Sequence, residues 1–175
     1  MNDLVFRTGE ATVFASEGQY TDAMPEVVIG KADGPVGTAF ASMMGQAAGH
    51  TRMFVVRDCN QMVKPAAMMT SKVTIDSAEY ITIFGSIVQS ATADAILDCV
   101  IDGTIPKQAA NDLVMIITIW LDPRVPGHDK LDKKELFKNN YEATKLAIKR
   151  AMKNEPSIDE LIANRNRISH CMVKD

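Results

Sequence analysis

The chain has 175 residues, 46% of them hydrophobic, and a net charge of −3, which suits one domain spanning 1–175 with a real core. The acidic balance argues against nucleic acid as the main partner, which needs a basic face. No continuous apolar run is long enough to span a bilayer, and Met1-Asn2-Asp3-Leu4 lacks the charged and apolar regions of a signal peptide, so neither a membrane nor a leader is expected.

Short apolar runs at 4–6 and 11–15 read as strands broken at Thr8-Gly9, and Ser16-Glu17-Gly18 reads as a turn. Ala23-Met24-Pro25-Glu26-Val27-Val28-Ile29-Gly30 reads as a strand entered through a proline, which cannot donate to a ladder and belongs at a strand start or edge. Pro35 fits the first position of a helix expected from about 35 to 48, with Gly49 as its stop. Strands are expected at 52–57 and 67–75, with a loop at 62–65 between them. Asp76-Ser77-Ala78-Glu79 has the form of a capping box and opens a long helical region to about Asp102. Gly85 inside it predicts a bend or break at Phe84-Gly85-Ser86. Val88, Ala91, Ala95 and Cys99 form an apolar stripe at helical spacing, and Gly103 ends it.

The clearest strand is 112–121, β-branched and aromatic, with both faces expected to be largely covered. A loop through Pro126-Gly127 leads to a helix at 133–153. On it Phe137, Tyr141, Ile148 and Met152 fall near one face, while Lys145, Lys149, Arg150 and Lys153 are expected mostly outward and solvated. After Pro156 a last short helix is expected at 157–163. Strands and helices segregate without strict alternation, which predicts an α+β fold with helices packed on one mixed β-sheet.

Several ordered motifs carry a resemblance: Gly34-Pro35, Ala39-Phe40, Gly49-His50-Thr51, Lys64-Pro65, Lys72-Val73-Thr74-Ile75, Phe84-Gly85 and Ile105-Pro106. The run from Asn140-Tyr141-Glu142 through Lys149-Arg150-Ala151 is the most specific. Over nearly its whole length the chain resembles the formaldehyde-activating enzyme family. That resemblance implies a fold like the second domain of ribosomal protein S5, assembled as a homopentamer. It also implies a reaction in one-carbon metabolism and methylotrophy. The family is a carbon–nitrogen lyase that condenses formaldehyde with tetrahydromethanopterin, its co-substrate, to give the methylene form and water.

In that reaction an amine attacks the aldehyde, and a general acid helps the carbinolamine lose water. Histidine suits that task, and the family has a His where this chain has Met24. A thioether gives no proton, so condensation is expected to be weak or lost; by itself Met24 reads as a pocket or core residue. Glu26 stands where the family has an Asp that contacts the pterin. In an apolar pocket its pKa would rise, making it a possible substitute acid; alone, it reads as a solvated strand-end charge. Lys72 and Thr74 match pterin-binding positions, and two residues apart on a strand they would face one cleft. Phe54 replaces a Leu and keeps an apolar wall. Val88 replaces a Gln, which would remove hydrogen bonds to the pterin unless a shift of the helix brings Gln89 round.

His50, before a strand near the proposed cleft, is the best substitute acid among three histidines, although a junction histidine is more often solvated or capping. Neither the histidines nor Cys59, Cys99 and Cys171 have metal-ligand spacing, so no metal is expected; scattered thiols read as reduced, in a cytoplasmic protein. Two further readings remain open. The chain is a protein that binds or senses formaldehyde or a pterin without catalysis, or a structural partner in mixed rings with an active paralogue.

Overall fold

The computed structural model describes residues 4–45 and 52–167. The chain forms β1 (Arg7–Glu10), β2 (Met24–Lys31), α1 (Pro35–Met44), β3 (Arg52–Phe54), β4 (Val56–Asp58), β5 (Gln61–Met62) and β6 (Ala66–Ser71). It continues through α2 (Ala78–Ile83), a π-helical turn (Phe84–Val88), α3 (Gln89–Ile101), β7 (Leu113–Trp120), α4 (Lys133–Lys153) and α5 (Ile158–Asn164). The main sheet has the order β1-β2-β7-β6-β3, and β4 and β5 form a separate two-stranded ribbon. Only β6 and β7 run parallel in that sheet, joined by the α2–α3 crossover; the other pairs are antiparallel. The fold is therefore α+β on a mixed sheet, as expected.

Register assigns each strand residue to a face. Val27, Ile117 and Met69 lie side by side on one face, with Ile29, Met115 and Ala67 in the next row, all buried. The helical crossover and α4 cover this face, and Phe84, Val88 and Ile96 join the same core. Small residues let α4 approach closely. A Cβ on Gly9 of β1 would lie 2.1 Å from the Ala147 carbonyl oxygen and 2.6 Å from the Ala151 nitrogen. The other face carries Glu26, Val28, Ile116, Thr118 and Met68. At one end α1 covers it: Val36 packs on Gly30, and Phe40 meets Phe54 of β3 with ring centroids 5.9 Å apart. The opposite end, around Met24 and Trp120, is left open.

Several expectations are corrected. The break at Thr8-Gly9 is instead the middle of β1, where glycine answers the approach of α4 rather than a turn. The strand at 52–57 is divided at Val55 into β3 and β4, and the loop at 62–65 begins inside β5. The next strand ends at Ser71, not at 75, so alternation does not pair Lys72 with Thr74. α1 ends at Met44 with Gly45 as its cap; Gly49 lies outside the described residues. Ser77, not Asp76, caps α2 by accepting from the Tyr80 N–H, and Glu79 accepts from Gly127 instead of closing a box. The bend expected at Gly85 is the π-helical turn.

The buried side of α4 is Leu136, Asn139, Asn140, Ala143, Thr144, Ala147, Ile148 and Ala151; of the four residues expected near one face, Ile148 is buried, Met152 packs against the core, and Phe137 and Tyr141 flank it. Lys145 and Lys149 do not simply point to water: both pair with Asp102 of the α3 cap, at 3.4 Å each. β7 is fully buried on one face; on the other Val114, at the α1 end, is buried, while Ile116, Thr118 and Trp120 are half-buried. Ala78–Ile101 is 24 residues long and contains an 18-residue window with a mean hydropathy of 1.3, enough by length and composition to cross a membrane, which the reading by continuous runs missed. Its buried residues pack in the core. Burial there pushes the Cys99 thiol up to about 12, so this cysteine is an inert core residue.

Candidate functional site

Three strand ends meet at the open end of the sheet. β2 runs antiparallel to β7 and β6, so its first residues lie beside the last residues of those two strands. Met24 stands opposite Trp120, and Glu26 opposite Thr118. Lys72 follows directly on β6, where its N–H donates to the Ile119 carbonyl at 2.9 Å. The carboxyl ends of parallel strands are a usual place for a ligand crevice in sheets of this kind. Here they border a cleft of about 590 Å³, with Met24, Glu26, Lys72, Trp120, Asp122 and Arg124 in its wall. Phe14 and Asp22, from the segment before β2, line the opposite side.

The charges in this wall are held in place. Lys72 Nζ donates to the Met24 carbonyl oxygen at 3.0 Å and to Glu26 Oε1 at 2.8 Å. Thr118 Oγ1 donates to the other oxygen of Glu26, also at 2.8 Å. Burial would push the Glu26 carboxyl up, but the hydrogen bonds from Lys72 and Thr118, with the lysine charge, hold it below the usual carboxylate range. Glu26 is therefore an ionised acceptor at neutral pH. The expectation of a raised pKa and an acid role fails because the pocket wall that meets it is cationic and hydroxylic rather than apolar.

A second pair stands beside it. Asp122 is 1% exposed, and Arg124 grips it with Nε to Oδ1 at 2.9 Å and Nη2 to Oδ2 at 2.5 Å. Burial raises the Asp122 pKa, and the arginine overcomes that and lowers it on balance. The same guanidinium lies 4.1 Å from the centroid of the Tyr20 ring.

Of the residues singled out from the sequence, Met24, Glu26 and Lys72 share this cleft. Phe54 sits on the same face of the sheet but on β3, three strands away from β2, about 14 Å at the ordinary strand spacing. Thr74 is exposed beyond the end of β6 and does not line the cleft. Val88 is fully buried in the core behind the sheet. Gln89 does not come round, because its side chain accepts from the Val56 N–H at 3.2 Å and donates to the Gly85 carbonyl at 2.7 Å. His50 lies outside the described residues. His128 packs against Tyr20, with ring centroids 5.0 Å apart, away from the cleft wall.

Sequence reasoning passed over Thr118, Trp120, Asp122 and Arg124. The alternation Ile117-Thr118-Ile119-Trp120 was the available signal, since a polar and an amphipathic residue two apart mark a face that is not pure core. Reading the strand as covered on both sides hid it.

The model of the family described as formaldehyde-activating enzyme matches residues 8–173. A bifunctional enzyme Fae/Hps of Methanothrix thermoacetophila is 38% identical over 146 residues, covering 83% of this chain and 36% of that protein. A protein of the same name from Archaeoglobus fulgidus is 37% identical over 170 residues, covering 96% of this chain and 41% of its own length. The chain thus spans about two fifths of these bifunctional relatives. A 5,6,7,8-tetrahydromethanopterin hydro-lyase of Methanosarcina barkeri is 34% identical over 146 residues, which cover 83% of this chain and 79% of that enzyme.

Proposed function

The chain belongs to the formaldehyde-activating enzyme family, and from that premise we propose that its cleft binds tetrahydromethanopterin and formaldehyde and joins them slowly, as a step of one-carbon metabolism. One observation carries the reading: Met24, at the position of the family's proton donor, lines the same cleft as the Glu26–Lys72 pair. Ionised Glu26 accepts from N–H groups of a pterin ring, and Trp120 and Phe14 offer apolar surface for it. Condensation then lacks the histidine donor at position 24, and the pterin lacks the hydrogen bonds of the Gln that Val88 replaces. General acid catalysis is worth roughly 10²–10⁴-fold, and the rate is slowed by a factor within that range. We extend the reading to an S5 domain 2-like fold, a ring of five and a cytoplasmic location.

Calorimetric titration with tetrahydromethanopterin, followed by condensation assays on the wild type and on Met24→His, tests this. Binding by both, with faster turnover in Met24→His, is the expected result. Full family-like turnover by the wild type would refute the loss at Met24. No pterin binding would refute the cleft assignment and favour a formaldehyde sensor; co-purification with an active paralogue would favour a structural role in mixed rings.

A further inference from the structure

With sulfur at position 24, one transferable proton remains among the described residues of the cleft. The four carboxylates in its wall accept: Glu26 is held ionised, both oxygens of Asp122 are taken by Arg124, Asp22 accepts from the Ala15 N–H, and Glu10 pairs with Arg150. A guanidinium does not give up its proton in proteins. No His, Cys or Tyr is among the lining residues. What is left is the ammonium of Lys72. It has three N–H bonds, and its two acceptors are the Met24 carbonyl and Glu26 Oε1. The third N–H has no acceptor among the described residues. The side chain is 25% exposed and lines the cleft, so the group is anchored from two sides and still reachable. Its link to the Met24 backbone puts it beside the position the family gives to the acid.

We propose that Lys72 is the proton donor of this cleft. This rests on the cleft being the pterin site. The pterin amine attacks the aldehyde carbon, a C–N bond forms, and transfer of a proton from nitrogen to oxygen gives the carbinolamine. Nζ–H then breaks as C–O breaks. The hydroxyl leaves as water with the C–O electron pair, the carbon becomes an iminium, and Lys72 is left neutral. Closure of a second pterin nitrogen on that carbon releases a proton, which returns to Nζ. Nothing is oxidised or reduced, and one water leaves for each formaldehyde consumed. A lysine ammonium is a weaker acid than an imidazolium, which fits slow rather than absent turnover. Glu26 and the Met24 carbonyl act here as positioning groups for Nζ.

The test uses Lys72→Arg, which keeps the positive charge beside Glu26 but does not give up a proton, with Lys72→Met as a second variant. The expected result is a protein-dependent condensation rate at saturating tetrahydromethanopterin that is lower in Lys72→Arg by roughly a hundredfold. The double variant Met24→His/Lys72→Arg is expected to recover that rate, because the new histidine supplies the proton. A merely structural lysine would leave the double variant about a hundredfold slower than Met24→His alone, whereas a lysine that only donates the proton leaves those two variants equal. Wild-type rate in Lys72→Arg and Lys72→Met overturns the proposal, and so does a double variant as slow as Lys72→Arg alone. A wild type that binds the pterin with no rate above the uncatalysed reaction overturns it too, while leaving the cleft assignment standing. A wild type that binds no pterin fails at the earlier step, and the proton donor falls with it.

Discussion

The two faces of the sheet are written in the same strands, one residue apart, and do opposite work. Ile117 and Ile119 of β7 are fully buried under the crossover and α4, whereas Ile116, Thr118 and Trp120 are half-buried on the face that ends in the cleft. Behind the sheet, packing is apolar and closed, and small residues let α4 come close to β1. In front, α1 covers the Gly30 end, and Glu26, Lys72 and Thr118 with Met24 and Trp120 occupy the open end. The cleft exists because one face has too few helices to cover it.

The largest expected effect separates neighbours on β7. Ile117→Ala should cost about 2–5 kcal/mol in urea unfolding, the usual penalty for emptying a closed core. Ile116→Ala should cost less than half as much; equal losses would break the contrast between the faces. Next is Gly9→Ala. Its new methyl meets backbone at 2.1 Å, which α4 can relieve only by moving off β1, so a loss of about 1–3 kcal/mol is expected.

The third concerns acid stability. The folded-state pKa of Asp122 is depressed, so the unfolded chain takes up its proton first as pH falls. The stabilisation is complete above the ordinary aspartate value of about 3.9 and is lost as pH falls through the lower folded value. Wild type and Asp122→Asn should therefore differ in stability at pH 7 and converge in strong acid; a constant gap would deny the ion pair its role. The smallest effect lies far from the cleft. Tyr141 donates to Asp98 at 2.5 Å across the α3–α4 seam, and Tyr141→Phe should cost about 1 kcal/mol without changing pterin affinity.

Elements with strong periodicity and clear stops were legible from the chain. α4 spans Lys133–Lys153 as expected, β7 differs from its expected bounds by a residue at each end, and the disturbance at Gly85 is real although it takes a π-helical form. Elements decided by a neighbour were not. Gly9 looked like a breaker until α4 stood over it. Lys145 and Lys149 looked solvated until α3 brought Asp102 to them. For the site, the sequence marked Met24, Glu26 and Lys72 by resemblance, but nothing local foretold that Lys72 would bridge 48 positions to the Met24 carbonyl. Nor did it foretell that Lys72 and Thr118 together would hold Glu26 ionised.

The sequence by itself therefore determined the family, the fold class and the presence of a methionine at position 24, because those depend on residue identity and local period. Tertiary structure alone decided which of the marked residues share a cleft. It moved Val88 into the core, left Phe54 and Thr74 outside, and added Trp120, Asp122 and Arg124. The physical reason is that strand register and the convergence of strand ends place side chains from distant segments within hydrogen-bonding range, and the pKa of each follows from the neighbours it acquires there.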